Sequence, residues 1–96
     1  QTLAVLLAGL GEGWQADELR RPLQRVAEHD RDGVLRRTLA AWFAHDMKSS
    51  LAAGALHVHR NTLDYRLRRI GEFSGLDLGR LDDVLLLFIA LELDQG

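Results

Sequence analysis

Residues 57–70 separate apolar from basic side chains with the period of an α-helix. Leu63, Leu67 and Ile70 recur at positions i, i+4 and i+7, so they form one stripe that can pack on a core. The polar and basic side chains of the segment are then left for solvent or for a polyanion; they are Arg60, Asn61, Tyr65, Arg66, Arg68 and Arg69. The segment therefore predicts a surface helix with a basic outer side.

A second, shorter helix is expected directly upstream, over residues 49–56. Small side chains occupy its middle, and Ala53 allows it to cross the following helix closely. A turn of about three residues follows Leu56, which is the length that joins the two helices of a helix-turn-helix. Ser49 or Ser50 is expected to cap the N-terminus of the short helix by accepting from a backbone N–H.

The rest of the chain also shows helical periodicity. Further helices are expected at residues 15–21, 22–29, 35–43 and 81–93, with a polar turn at 30–33 and a helix stop at Gly75. Trp42 and Phe43 are expected to be core anchors, because one aromatic pair at helical spacing is ordinary packing. Gly71 is expected to loosen the helix after Ile70, since glycine costs about 1 kcal/mol relative to alanine there. The predicted fold is all-α, a small domain of five to six helices containing a helix-turn-helix.

The last predicted helix is apolar around its whole circumference from Val84 to Leu91. One flank is expected to rest on the Trp42 helix and on the helix of residues 60–73, which leaves the other flank to be covered by a second copy or by the missing upstream domain. Covering about 400 Å² of apolar surface would contribute on the order of 10 kcal/mol before the entropy of association is subtracted. A homodimer is therefore expected through this helix. The expected interface residues are Leu85, Phe88 and Ile89.

Length and composition favour one small globular domain. The 96 residues leave no room for a second independent core. The chain has no cysteine, so neither a disulfide nor a thiolate zinc site can hold it together. The longest apolar run, residues 84–91, falls far short of the roughly 20 residues that cross a bilayer. A cytoplasmic domain without a membrane contact is expected.

Charge is distributed unevenly along the chain, whose net charge is −2. Four arginines and one aspartate give residues 57–70 a net charge of +3, so the remaining residues carry −5. Screening beyond roughly 8 to 10 Å keeps distant acids from cancelling a concentrated basic surface. The distribution is typical of a protein that meets a polyanion with one surface only.

Enzymatic function is not indicated. The chain has no Gly-rich phosphate loop, no nucleophile elbow and no HExxH sequence. His57 and His59 have no third metal ligand near them in sequence, and surface or capping histidines are far commoner than ligands. No metal, cofactor or catalytic residue is expected.

The glycines near the N-terminus mark the expected domain boundary. They are Gly9, Gly11 and Gly13. Because the chain begins at Gln1 rather than at methionine, residues 1–13 are expected to be a remnant or linker from a missing upstream domain. Residues 14–96 then form the helix-turn-helix domain, with its core at 34–94.

The stretch from Leu35 to about Leu93 resembles the C-terminal helix-turn-helix domain of the PucR/CdaR group of bacterial transcriptional regulators. The residues that carry the resemblance are Leu35-Arg36-Arg37-Thr38-Leu39, Trp42-Phe43, the unbroken run from Ala53 to Leu63, Tyr65-Arg66-Leu67-Arg68-Arg69-Ile70, and Gly75-Leu76-Asp77-Leu78. Two positions depart from the family pattern. Asp64 stands where a basic or neutral residue is common, and Gly71 stands where an acidic residue is common.

The resemblance implies sequence-specific binding of double-stranded DNA, with a recognition helix of about residues 60–73 in the major groove. It also implies that an effector is bound by an absent upstream domain. The side chains of the first turns are the candidates for base readout; they are Arg60, Asn61 and Tyr65. The candidates for contact with phosphates are Ser49, Ser50, His59, Thr62, Arg66, Arg68 and Arg69.

Some of these candidates have a structural role open to them as well. His59 precedes the recognition helix and is placed to cap it. At least one of the last three arginines is expected to pair with an acid such as Glu72. Asp64 would be repelled by phosphate or would accept from a cytosine amino group.

An alternative function is a protein-interaction or dimerisation module built on the apolar helix 81–94. The negative net charge and the apolar tail favour it. A titration against salt separates the two, because phosphate contacts make affinity fall steeply with ionic strength and apolar association does not.

Overall fold

A computed structural model describes residues 16–95, and within that range the chain forms five α-helices joined by short turns. The helices are α1 (Ala16–Ala27), α2 (Val34–Ala44), α3 (Ser49–Leu56), α4 (Arg60–Ser74) and α5 (Leu81–Gln95), with a short 3₁₀ turn (Arg31–Gly33) before α2. The all-α prediction is confirmed, and so are the positions of α2, α3, α4 and α5. The predicted domain boundary near residue 13 lies outside the described residues.

Helix α1 is continuous through Pro22, so the predicted division into two helices is wrong. A proline inside a helix costs about 3 kcal/mol, because it removes one backbone hydrogen bond and crowds the preceding turn. Leu23 and Val26 flank it and are buried in the core, and each such side chain contributes roughly 1.5–3 kcal/mol on burial. The tertiary contacts of α1 therefore outweigh the local break.

The core lies where the five helices meet. Helices α2, α3 and α4 pack on one another, and α1 packs against α4, α5 and α2. The buried apolar side chains are Leu23, Val26, Leu39, Trp42, Ala52, Ala53, Leu63, Leu67, Ile70, Val84, Leu87, Ala90 and Leu91. Trp42 is thus a core anchor as predicted, and Phe43 packs against the core half-buried.

The polar turn before α2 is held by Asp30. Its carboxylate accepts from the backbone N–H of Leu35 at 2.7 Å and from that of Arg36 at 3.0 Å. These donors belong to the first turn of α2, where backbone N–H groups have no partner within the helix. Asp30 thereby fixes where α2 begins.

Helix α5 rests mainly on α1, a partner that the prediction of contacts with the Trp42 helix and the helix of residues 60–73 did not include. Two links still join it to α2. Phe88 meets Phe43 edge to face at 5.3 Å, and Asp94 accepts from Arg36 at 2.8 Å. The sequence did not indicate α1 as the partner because Pro22 divides its amphipathic pattern into two short segments. In the structure α1 is one helix with a single buried stripe that packs on α5.

The outer side of α5 is only partly covered. Leu81, Leu85 and Leu86 are exposed, whereas Phe88 and Ile89 are half-buried. Over residues 16–95, the structure contains no helix with both the length and the apolar character that spanning a membrane requires.

Candidate nucleic-acid interface

Helices α3 and α4 are joined by residues 57–59, which confirms the predicted three-residue turn. The turn is tight because His57 adopts the left-handed conformation, with φ 58°. The N–H of Val58 donates to the carbonyl of Ala53 at 3.0 Å and the N–H of His57 to that of Gly54 at 3.2 Å, the pair of bonds that ends a helix in a Schellman motif. Ala52 and Ala53 are buried on α3, so small side chains do lie where α3 packs on its neighbours.

The N-terminus of α4 is capped by His59, as predicted. The imidazole Nδ1 accepts from the backbone N–H of Asn61 at 3.0 Å. This bond uses the lone pair of an unprotonated nitrogen. The cap fixes the direction in which α4 leaves the turn, and therefore the direction of its first side chains.

The predicted cap of α3 by Ser49 or Ser50 is wrong. Lys48 takes the N-cap position, and both serines already lie inside the helix. The reason lies in the preceding turn, where Asp46 and Met47 both adopt left-handed conformations and bring the chain around before the first serine is reached. Ser50 is thereby free to interact with α4 through its hydroxyl.

Helix α4 buries one stripe and exposes the opposite one. Leu63, Leu67 and Ile70 are buried, as the sequence predicted. The three candidates for base readout all lie on the exposed side; they are Arg60, Asn61 and Tyr65. Arg68 is also exposed and lies over the ring of Tyr65, with 5.8 Å from its guanidinium carbon to the ring centre.

The side chains predicted to contact phosphates differ in their exposure to solvent. Ser50, His59 and Arg68 are exposed, whereas Ser49, Thr62, Arg66 and Arg69 are half-buried. Arg66 donates to the hydroxyl of Thr38 on α2 at 3.5 Å. Arg69 pairs with Glu72 at 2.6 Å, which agrees with the expectation that one arginine would have an acidic partner.

A groove beside α4 brings together residues that the sequence does not associate. It is lined by His29, Arg31, Tyr65, Arg66, Arg69 and Phe73, together with residues 30, 32, 34 and 35. The ring of Phe73 stacks on His29 at 4.3 Å, and the guanidinium of Arg69 lies 4.5 Å from the same ring. Sequence reasoning missed Arg31 and His29, because only the packing of α1 and α2 brings them beside α4.

The aspartate that departs from the family pattern has a partner on the same helix. Asp64 Oδ2 lies 3.6 Å from Arg60 Nε, one helical turn away. Arg60 Nη1 also donates to Ser50 Oγ on α3 at 3.4 Å. The guanidinium at the start of α4 is therefore bracketed by a carboxylate and a hydroxyl.

Gly71 does not interrupt α4, which continues to Ser74 and ends at Gly75. A Cβ atom at position 71 would lie 3.1 Å from the backbone carbonyl oxygen of Leu76, closer than side-chain carbons ordinarily approach. Glycine therefore permits the chain after α4 to fold back against the helix.

The structure brings no group of three or more histidine, aspartate or glutamate side chains together as a metal site within residues 16–95. His57 and His59, the pair considered as metal ligands, lie in the turn between α3 and α4 and are exposed.

Comparison with known proteins identifies the same region. Residues 35–93 match the family described as the PucR C-terminal helix-turn-helix domain. The chain is 57% identical over 93 residues to the carbohydrate diacid regulator of Escherichia coli K12, covering 97% of this chain and 24% of that protein. An uncharacterised protein of Haemophilus influenzae is 39% identical over 93 residues, covering 97% of this chain and 25% of that protein. The transcriptional activator PmfR of Paenarthrobacter nicotinovorans is 42% identical over 59 residues, covering 62% of this chain and 13% of that protein.

No solved structure matches the chain. The chain spans about a quarter of the length of the first two relatives. The family match covers most of the chain and includes both helices of the helix-turn-helix. This chain belongs to the family of the PucR C-terminal helix-turn-helix domain, a domain of transcriptional regulators.

Proposed function

We propose that this chain binds double-stranded DNA in a sequence-specific manner, as the DNA-binding domain of a bacterial transcriptional regulator. The observation that carries the proposal is the division of α4 into a buried apolar stripe and an exposed side that presents Arg60, Asn61 and Tyr65 together. The family of the chain supports it, and so do two relatives, the carbohydrate diacid regulator and the transcriptional activator PmfR.

In this proposal α4 enters the major groove with its N-terminal turns nearest the bases, as recognition helices do. Arg60 has the donors to bind guanine O6 and N7 as a pair, and Asn61 has the donor and acceptor to bind adenine N6 and N7. Tyr65 offers its hydroxyl one turn further along. These contacts distinguish base pairs because each pair presents a different pattern of donors and acceptors in the major groove.

Contacts with phosphates would come from the flanks of the same surface. Arg66, Arg68 and Arg69 supply positive charge, and Ser49, Ser50, His59 and Thr62 supply neutral donors. Such contacts fix the position of the protein on the duplex without reading its sequence. The proposal places the effector site in a part of the protein outside these 96 residues, and it places the protein in the cytoplasm, where bacterial DNA lies.

Fluorescence anisotropy with a labelled duplex tests the proposal. A duplex selected from a random pool is expected to bind more tightly than a random duplex of equal length. Its log K is expected to fall linearly with log salt, by about 0.9 for each phosphate that the protein neutralises. Equal affinity for both duplexes, or an affinity independent of salt, would contradict the proposal and favour the interaction module.

We further propose that two copies bind together through the uncovered side of α5. Leu85 is exposed there beside Leu81 and Leu86, and the half-buried Phe88 and Ile89 continue the same apolar surface. Two recognition helices related by a two-fold axis would contact half-sites about 34 Å apart or a multiple of that distance. The contact between the two copies is apolar, so the charged side chains elsewhere on the surface do not provide it.

Sedimentation equilibrium at high micromolar concentration checks the dimer. The mass of two chains is expected, and Leu85→Asp is expected to return the mass of one chain, because a carboxylate in the contact would lose its hydration. Leu51→Asp, an exposed leucine on α3, is the matched control and is expected to leave the dimer intact. A wild-type monomer at this concentration removes the dimer from the proposal.

A further inference from the structure

The guanidinium of Arg60 contacts two side chains of the helix-turn-helix. Its Nε lies 3.6 Å from Asp64 Oδ2, and its Nη1 donates to Ser50 Oγ at 3.4 Å. Asp64 belongs to the same helix and Ser50 to the helix before it, so the guanidinium contacts both helices of the helix-turn-helix. An arginine without such contacts samples many rotamers, and ordering it on binding has an entropic cost.

The two contacts leave N–H donors of the Arg60 guanidinium available for a base. A guanidinium carries five N–H donors in a planar fork. Asp64 lies beside Nε as an ion-pair partner, and Ser50 accepts one hydrogen of Nη1. Among the described residues, the second hydrogen of Nη1 and both hydrogens of Nη2 have no partner. One donor from each of these two nitrogens can make a paired contact with guanine O6 and N7. Holding the arginine and reading a base with it are therefore compatible.

Asp64 is an unfavourable residue for binding DNA as such. It is the one acidic residue among residues 57–70. Its side chain is 40% exposed and borders the solvent-facing side of α4. Its charge opposes approach to any phosphate backbone, whatever the base sequence. Such a residue can still increase sequence specificity if it orients a side chain that contacts a base.

We infer that Asp64, together with Ser50, positions Arg60 and so determines specificity: Asp64 lowers affinity for random DNA while it raises discrimination at the base pair that Arg60 reads. The inference rests on the proposed function. Asp64 acts here through Arg60 rather than on a base of its own, which distinguishes it from a carboxylate that accepts from cytosine.

The test compares Asp64→Asn with Glu72→Gln in the 96-residue chain. Both variants remove one negative charge from an exposed part of α4, but Glu72 is paired with Arg69 rather than with Arg60. Anisotropy measures binding to the selected duplex and to a random duplex. Both variants are expected to bind the random duplex up to about fivefold more tightly. Only Asp64→Asn is expected to reduce the ratio of selected to random affinity, by roughly tenfold.

Two further variants separate positioning from other roles. Asp64→Glu keeps a carboxylate one turn from Arg60 and is expected to restore most of the ratio. In an Arg60→Ala background, Asp64→Asn is expected to leave the ratio unchanged, because the residue that it positions is absent. A ratio that still falls in that background would show that Asp64 reads a base directly, and would overturn the inference.

The outcomes distinguish this inference from the function on which it rests. If the wild-type chain does not prefer the selected duplex, the proposed function fails and the inference fails with it. If the wild-type chain does prefer that duplex and Asp64→Asn keeps the full ratio, only the inference fails. Helical circular dichroism equal to that of the wild type is the check that Asp64→Asn, a substitution at a half-exposed side chain, has left the fold intact.

Discussion

Arg60→Ala is expected to weaken binding to the selected duplex by about 1–3 kcal/mol, while binding to a random duplex falls much less. The physical reason is that a paired hydrogen bond to one base is lost, whereas most of the charge that attracts phosphates stays. Arg60 is suited to this role because it is exposed at the first residue of α4 and is already held by Asp64 and Ser50. Competition anisotropy with the two duplexes measures both losses in the same protein preparation.

Arg69→Ala is the matched control for this prediction. Arg69 lies about two and a half turns further along the flank of α4, where it pairs with Glu72 and lies over Phe73. Its loss is expected to weaken both duplexes alike and to reduce the slope of log K against log salt by about 1. If Arg60→Ala produced the same equal losses, Arg60 would be a phosphate contact and not a base reader.

Leu63→Ala is expected to lower the free energy of unfolding by about 2–5 kcal/mol. Leu63 is completely buried on the inner side of α4, so the substitution removes apolar contacts and leaves a cavity. Domains of this kind are stable by about 5–15 kcal/mol in total, so the loss is a large share. Urea unfolding followed by circular dichroism at 222 nm measures the change.

Leu51→Ala provides the comparison for Leu63→Ala. The two residues are of one type and lie on the two helices of the helix-turn-helix, but 54% of Leu51 is exposed. Its substitution is expected to change the free energy of unfolding by about 0.5 kcal/mol or less. Equal effects of the two substitutions would show that the inner side of α4 does not carry the stability assigned to it.

The elements that the sequence predicted well are those specified by local patterns. The repeat of Leu63, Leu67 and Ile70 fixes which side of α4 is buried, because a helix has only one period. The three-residue turn after Leu56 and the cap by His59 depend on residues adjacent in sequence. These features required no knowledge of which helices pack together.

The failures arise where tertiary contacts compete with local preference. Pro22 is a helix breaker by propensity, yet α1 continues through it because its flanking residues are buried. Ser50 is a preferred cap residue, yet the left-handed turn before it starts the helix earlier. Helix α5 has no single apolar side, so its sequence could not specify that α1 would be its main partner.

The candidate site was predictable to the same extent. Exposure of Arg60, Asn61 and Tyr65 follows from the helical period. The pairing of Arg60 with Asp64 has the i, i+4 spacing that the sequence displays, whereas its contact with Ser50 spans ten residues and depends on how α3 crosses α4. Arg31 comes beside Arg66 and Arg69 only through the folding of α1 and α2.

The close approach of the Leu76 carbonyl requires glycine at position 71, and this glycine lowers the helix propensity of the second half of α4. Helices of this length are marginal in water even with good helix formers throughout, and an added methyl group at this point would have to displace the following backbone. A peptide cut from residues 57–74 would accordingly lose its shape, together with the spacing of its arginines. Under the proposed function, the arrangement that α4 presents to a duplex therefore depends on the packing of α4 in the helical bundle.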